Sequence, residues 1–276
     1  MLRRWLVQTP GHTYDVKFTD DKIMVVSENQ FFLIDPENGE IENVYSHKAG
    51  LYCVRKLNDG RYLLGAEDMA VLILDEEGNL ERIDSEYAIF SCSIKENKVA
   101  LGACCGPIYL LDLETKNMIK IYETYGNVYS VEWGKYLYAA SFDGNIYALK
   151  GLGRLIAGKR LAENVNVVST CNDAVAAGTF EPGGVFVFDP ELNPRWSRGN
   201  FFDVRVASWR DECKGLYVAS WDGRVSLYRN DGTEVLRGMG PRGVESGDYR
   251  AGSLVLGAWG RVELYEEEES DVKEIE

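Results

Sequence analysis

Apolar and polar residues alternate along most of this chain, and the alternation breaks at short clusters of Asp, Gly, Asn and Pro. Such period-two patterning predicts β-strands, and the clusters between them predict turns. The unit is clearest in residues 137–150, LYAASFDGNIYALK, and in residues 216–229, LYVASWDGRVSLYR. Each holds an apolar strand ending in a small residue, a tight Asp-Gly turn whose glycine accepts positive φ, and a second strand. Residues 63–75 and 99–112 follow the same plan. No sustained run of apolar residues at i, i+3, i+4 and i+7 marks a helix, so helices are expected to be few.

The small residue closing the first of these strands serves as a landmark. It falls at Gly65, Gly102, Ala140, Gly178, Ala219 and Gly257, with Val25 in the same place upstream, so the spacings are 40, 37, 38, 38, 41 and 38 residues. Seven units therefore fill the chain. A second family of turns follows the landmark hairpin, at Asp35–Gly39, Asp75–Gly78, Asp189-Pro190 and Asn230–Gly232. Beyond it lies another strand, as at Ile41–Tyr45, and a further strand precedes the hairpin, as at Tyr52–Leu57. Four strands per unit cannot cover both of their faces alone, whereas units stacked about an axis cover one another.

On the residues of 140–149 and 219–228 above all, the chain resembles a seven-bladed β-propeller of the WD40 or PQQ-like repeat kind. That resemblance implies an all-β fold with four antiparallel strands per blade, forming a single domain over residues 1–265. The Gly-His and Trp-Asp dipeptides of WD40 units are absent from their usual places, since Trp221-Asp222 sits in a hairpin turn. Arg4–Val16 is patterned like Arg195–Val204, an outer strand leading into the next unit's first strand. Residues 3–8 are thus expected to complete the seventh blade. The competing candidate for that slot is Val272–Ile275, but the acidic run beside it reads as a solvated tail over residues 266–276.

Composition narrows the function. The 276 residues include 30 Lys and Arg against 44 Asp and Glu, a formal charge of -14, which opposes broad nucleic-acid binding. No stretch approaches the roughly 20 apolar residues of a membrane-spanning helix, and the N-terminal apolar run is too short for a signal peptide. A cytoplasmic protein, monomeric by default, is the expectation. Gln occurs only at positions 8 and 30 while Glu abounds, a bias reported for heat-adapted, thermostable proteins. The cysteines at 53, 92, 104, 105, 171 and 213 form no CxxC pair, so buried reduced thiols are expected, heat adaptation leaving an oxidised pair open.

Chemical motifs are sparse. Gly238–Gly243 matches GxGxxG, but no helical pattern follows it to supply the phosphate-binding amides. Some quinoprotein dehydrogenases of the PQQ propeller group carry a vicinal disulfide, yet Cys104 aligns with a packing position in other units and reads as structural. His12 and His47 sit in loops without metal-ligand spacing, and neither a GxSxG elbow nor a P-loop occurs. The carboxylates Asp35, Asp75, Asp112, Asp143, Asp189, Asp222 and Asp231 read as Asx turns. No catalytic residue, metal or cofactor is assigned.

What the propeller geometry does imply is a face. The turns of the middle hairpins and the loops between blades would gather Phe142, Phe180, Trp221 and Trp259 around a central opening. Interblade loops add Tyr52, Tyr87, Tyr125, Phe201 and Phe202, with Lys48, Arg205 and Arg242 among them. Aromatic side chains with Arg are the stuff of binding hot spots, although periodic rings also serve as wedges between blades. The expected function is a non-catalytic platform for a protein or peptide. The alternative is a propeller enzyme or small-ligand binder with its site at the mouth of the central channel.

Overall fold

A computed structural model describes residues 1–210 and 213–268. The rival closing segment Val272–Ile275 and most of the acidic tail lie outside the described residues. The described residues form twenty-eight strands, β1 to β28 in chain order, which assemble into seven four-stranded antiparallel sheets. Among the described residues no helix is long and apolar enough to cross a membrane. The protein is a seven-bladed β-propeller.

The innermost strands of blades 1 to 7 are β2 (Thr13–Phe18), β6 (Leu51–Lys56), β10 (Ile89–Lys95), β14 (Val128–Trp133), β18 (Val165–Cys171), β22 (Val204–Trp209) and β26 (Val244–Arg250). Blade 7 continues through β27 (Ser253–Ala258) and β28 (Arg261–Glu266), and its outermost strand is β1 (Leu2–Gln8), from the other end of the chain. Trp5 pairs with Leu264 and Val7 with Val262 in this closing ladder. The Trp5 Nε1–H also donates to the Pro36 carbonyl of blade 1 at 2.9 Å. Beyond β28, the Glu267 carboxylate takes a bidentate pair from Arg210, at 2.8 and 3.0 Å, and the Tyr217 hydroxyl at 2.7 Å. Both partners are buried in blade 6, so the ring is clasped on either side of its seam.

The landmark positions are small because the next blade leaves no room. A Cβ on Gly178 would stand 2.4 Å from Val204 Cγ1, and one on Gly102 would stand 2.7 Å from the Val128 carbonyl oxygen. Each second strand thus presses its small residue against the first residue of the following inner strand. Accordingly the core is divided into seven apolar layers, one per blade boundary, such as Tyr138, Ile146, Val165 and Val168 between blades 4 and 5.

Polar side chains of the inner strands stitch these boundaries together. Asp15 accepts the Val54 amide at 3.1 Å, Ser93 that of Trp133 at 3.2 Å, and Ser130 that of Val168 at 3.1 Å. Ser208 accepts the Tyr249 amide and Asp248 that of Phe18, both at 3.0 Å. Every stitch runs from one position of an inner strand to the next position along in the following blade. Among the described residues, two boundaries lack such a bond, and both carry a disulfide. Cys53–Cys92 joins blades 2 and 3, and Cys171–Cys213 joins blades 5 and 6. The expectation of reduced thiols is therefore corrected for four cysteines. Repeat alignment places Cys53 opposite Ser91, but the one-position stagger between neighbouring blades brings Cys92 to it instead.

Candidate functional site

In all seven inner strands the pairing register slips between the first and third residues. A bulge of this kind leaves the intervening residue unpaired and re-aims its side chain. Those residues are Tyr14, Tyr52, Phe90, Tyr129, Asn166, Arg205 and Glu245, and all seven line the central cavity. Repetition of the fold thus places one side chain per blade at the channel mouth, and the sequence divides them into an aromatic arc and a polar sector.

Along the arc the rings touch in succession. Tyr14 meets Tyr52 edge-on at 4.9 Å, Tyr52 meets Phe90 edge-on at 4.9 Å, and Phe90 stacks on Tyr129 at 5.0 Å. His12 extends the run at one end, stacked between Tyr14 and Trp259, and Phe142 caps the other at 4.2 Å from Tyr129. Burial, then the charges of Glu28, Glu245 and Glu67, raises the Tyr14 phenol above its ordinary range. Burial, then Glu67, pushes Tyr52 up to about 12, so both act as neutral hydroxyls at physiological pH.

The polar sector is a chain of charge-assisted bonds. Arg205 Nε donates to Asp203 at 2.8 Å, its Nη1 lies 3.3 Å from Glu245, and Asn166 Nδ2 donates to Asp203 at 2.6 Å. His12 Nδ1 lies 3.6 Å from Glu245 on the other side. Burial raises both the Asp203 and Glu245 carboxyls, with Arg205 drawing each back.

Around this mouth runs an outer circle. In every blade the backbone amide at the start of the middle-hairpin turn donates to the preceding interblade loop: Glu28 to His12, Glu67 to Gly50, Cys104 to Ala88, Phe142 to Asn127, Phe180 to Asn164, Trp221 to Asp203 and Trp259 to Gly243. Seven equivalent positions are thereby held on one face. Trp221 and Trp259 are exposed there, by 39% and 65%, whereas Phe142 and Phe180 are half-buried. Phe202 stands 6.4 Å from Phe180 and 5.9 Å from Trp221, forming a second aromatic group.

Of the other residues expected on this face, Tyr125 is 97% exposed, and Arg242 and Lys48 are exposed, Lys48 lying 3.2 Å from Asp68. Tyr87 is half-buried against the layer between blades 2 and 3. Phe201 is not on the face: it is 6% exposed, packs in the layer between blades 5 and 6, and lies beneath the Arg224 guanidinium at 4.3 Å. It pairs with Gly183 as the last residue of its strand, and the ring faces inward while Phe202 turns out. Sequence reasoning passed over Tyr14, Phe90, Tyr129, Asn166 and Glu245. The signal was available, for each is the second residue of an inner strand, in the same column as Tyr52 and Arg205.

The seven turn aspartates do accept local backbone amides, as when Asp75 takes those of Glu77 and Asn79 and Asp222 takes that of Arg224. Cys104 and Cys105 are free thiols; Cys104 is partly buried and Cys105 is exposed.

The class this geometry defines is the seven-bladed β-propeller with a mouth ringed by one bulged side chain per blade. No protein family and no curated protein matches the sequence. Solved structures do match in fold. A chain of a mitotic checkpoint complex superposes with a TM-score of 0.86 at 14% identity, covering 96% of this chain and 92% of its own. The computationally designed Ika8 protein gives a TM-score of 0.74 at 14% identity, over 94% and 98% of the two chains. Likeness at that identity establishes architecture and leaves function to the site.

Proposed function

We propose that this chain is a propeller of the WD40-like kind that serves as a protein–protein interaction platform, docking a protein or peptide on the face around the channel mouth. The observation that carries the reading is the exposure of Tyr125, Trp259, Phe202 and Trp221 together on that face. Large rings left in water at fixed positions of a rigid scaffold cost hydration free energy unless a partner covers them. Arg242 and Lys48 beside them supply the polar rim of such a site. The similar chain from the mitotic checkpoint complex belongs, by its description, to a multiprotein assembly, which is in keeping with this reading. Two disulfides in this Glu-rich chain are in keeping with the heat adaptation expected from composition, a setting in which disulfides persist inside cells.

The test is comparative capture from a native lysate. A Tyr125→Ser, Trp259→Ser double variant is expected to fold with unchanged thermal stability and to lose a partner that the wild-type chain retains. Undiminished capture of every partner by the folded variant would overturn the reading.

A further inference from the structure

The central cavity, of about 270 Å³, reaches below the mouth residues, and its wall there bears a second tier of charge. There Arg55 donates to Asp15 at 2.6 Å and Lys17 lies 3.5 Å from Asp248. Glu132 joins them from β14 and is the odd member: it has no hydrogen bond or ion pair among the described residues. Burial pushes its carboxyl up, Arg55 and Lys17 draw it back, and Asp248 and Asp15 push it up again. Three carboxylates therefore share two cations at this depth.

The upper tier is also negative. Glu28, Glu245 and Glu67 act on the Tyr14 phenol, and Arg205, 3.3 Å from Glu245, is already engaged by Asp203 at 2.8 Å. Tyr129 of the upper tier and Glu132 of the lower stand on one strand, three residues and thus roughly 10 Å apart.

The geometry points to an aliphatic diamine or polyamine as a ligand of this channel, with one ammonium at the aromatic mouth and another at Glu132. An ammonium gains from ring faces and carboxylates together, and methylenes lie favourably along tyrosine and phenylalanine edges. A single charge could satisfy one tier alone, whereas two charges joined by an apolar spacer answer both. This site lies within the channel and uses none of the four exposed rings proposed for docking, although Trp259 reaches its rim through His12.

Isothermal titration with 1,7-diaminoheptane and 1-aminoheptane tests it, since the two probes differ by one ammonium. The diamine is expected to bind saturably and at least about tenfold more tightly than the monoamine, the usual worth of one charged hydrogen bond. Glu132→Gln, with an unchanged melting temperature, is expected to remove that advantage while leaving the monoamine's affinity as it was. Glu245→Gln is expected to weaken both amines. Absence of saturable binding, equal affinity of the two amines, a diamine advantage that survives Glu132→Gln, or displacement by magnesium chloride at equal charge would each overturn the inference.

Discussion

Adjacent phenylalanines in one loop have opposite duties here. Phe201 fills the layer between blades 5 and 6 while Phe202 stands in solvent. Truncating Phe201 to Ala should cost about 3–5 kcal/mol, the usual price of an emptied aromatic site, and Phe202→Ala should cost well under about 1 kcal/mol. Urea unfolding of the two single variants separates these outcomes. A second residue ties stability to pH. Burial pushes the Glu234 carboxyl up, but bonds from Arg237 at 2.5 Å and Arg224 at 3.2 Å outweigh it and hold it at about 2, against the ordinary 4.5. Because the folded value lies below the unfolded one, Glu234 stabilises the fold above pH 4.5 and loses that contribution as pH falls toward 2. Glu234→Gln should thus lower stability at pH 7 while converging on the wild type near pH 2. Parallel melting curves at the two pH values would show it.

At the scale of the strand, the sequence carried more of the architecture than of the site. The landmark residues, the Asp-Gly hairpins and the outer-strand character of residues 3–8 are local signals, and they suffice for seven blades and their closure. Two things were hidden because they depend on relations between strands. The bulge that turns Tyr14, Phe90 and Tyr129 into the channel is a slip of register, which leaves no mark on apolar alternation. The Cys53–Cys92 disulfide depends on the stagger between neighbouring blades, so aligned repeats pair Cys53 with the wrong residue. The closing strand itself yields a prediction. A chain lacking residues 1–8 leaves the β28 edge unpaired, and its melting temperature should fall by about 10 °C or more with concentration-dependent association. An unaltered monomeric melt of the truncated chain would show that β1 adds little.

For the whole molecule, stability is distributed around a ring whose seven boundaries are sewn by a side-chain bond or by a disulfide. The disulfides close spans of 39 and 42 residues, and each stands where, among the described residues, no inner-strand side chain accepts an amide of the following blade. Replacing the pair Cys53 and Cys92 by Ser should cost about 2–4 kcal/mol, read as a lower urea midpoint than in the parent chain. That rigidity serves the face: bulges, turn amides and the clasped seam hold seven loops in fixed relation, and the rings that remain exposed lie on that side. The most direct test places a photocrosslinking residue at Tyr125, at Trp259, and at Asp59 on the opposite face. The account predicts that partners captured from a native lysate crosslink from Tyr125 and Trp259 and not from Asp59. Crosslinks confined to Asp59 would contradict it.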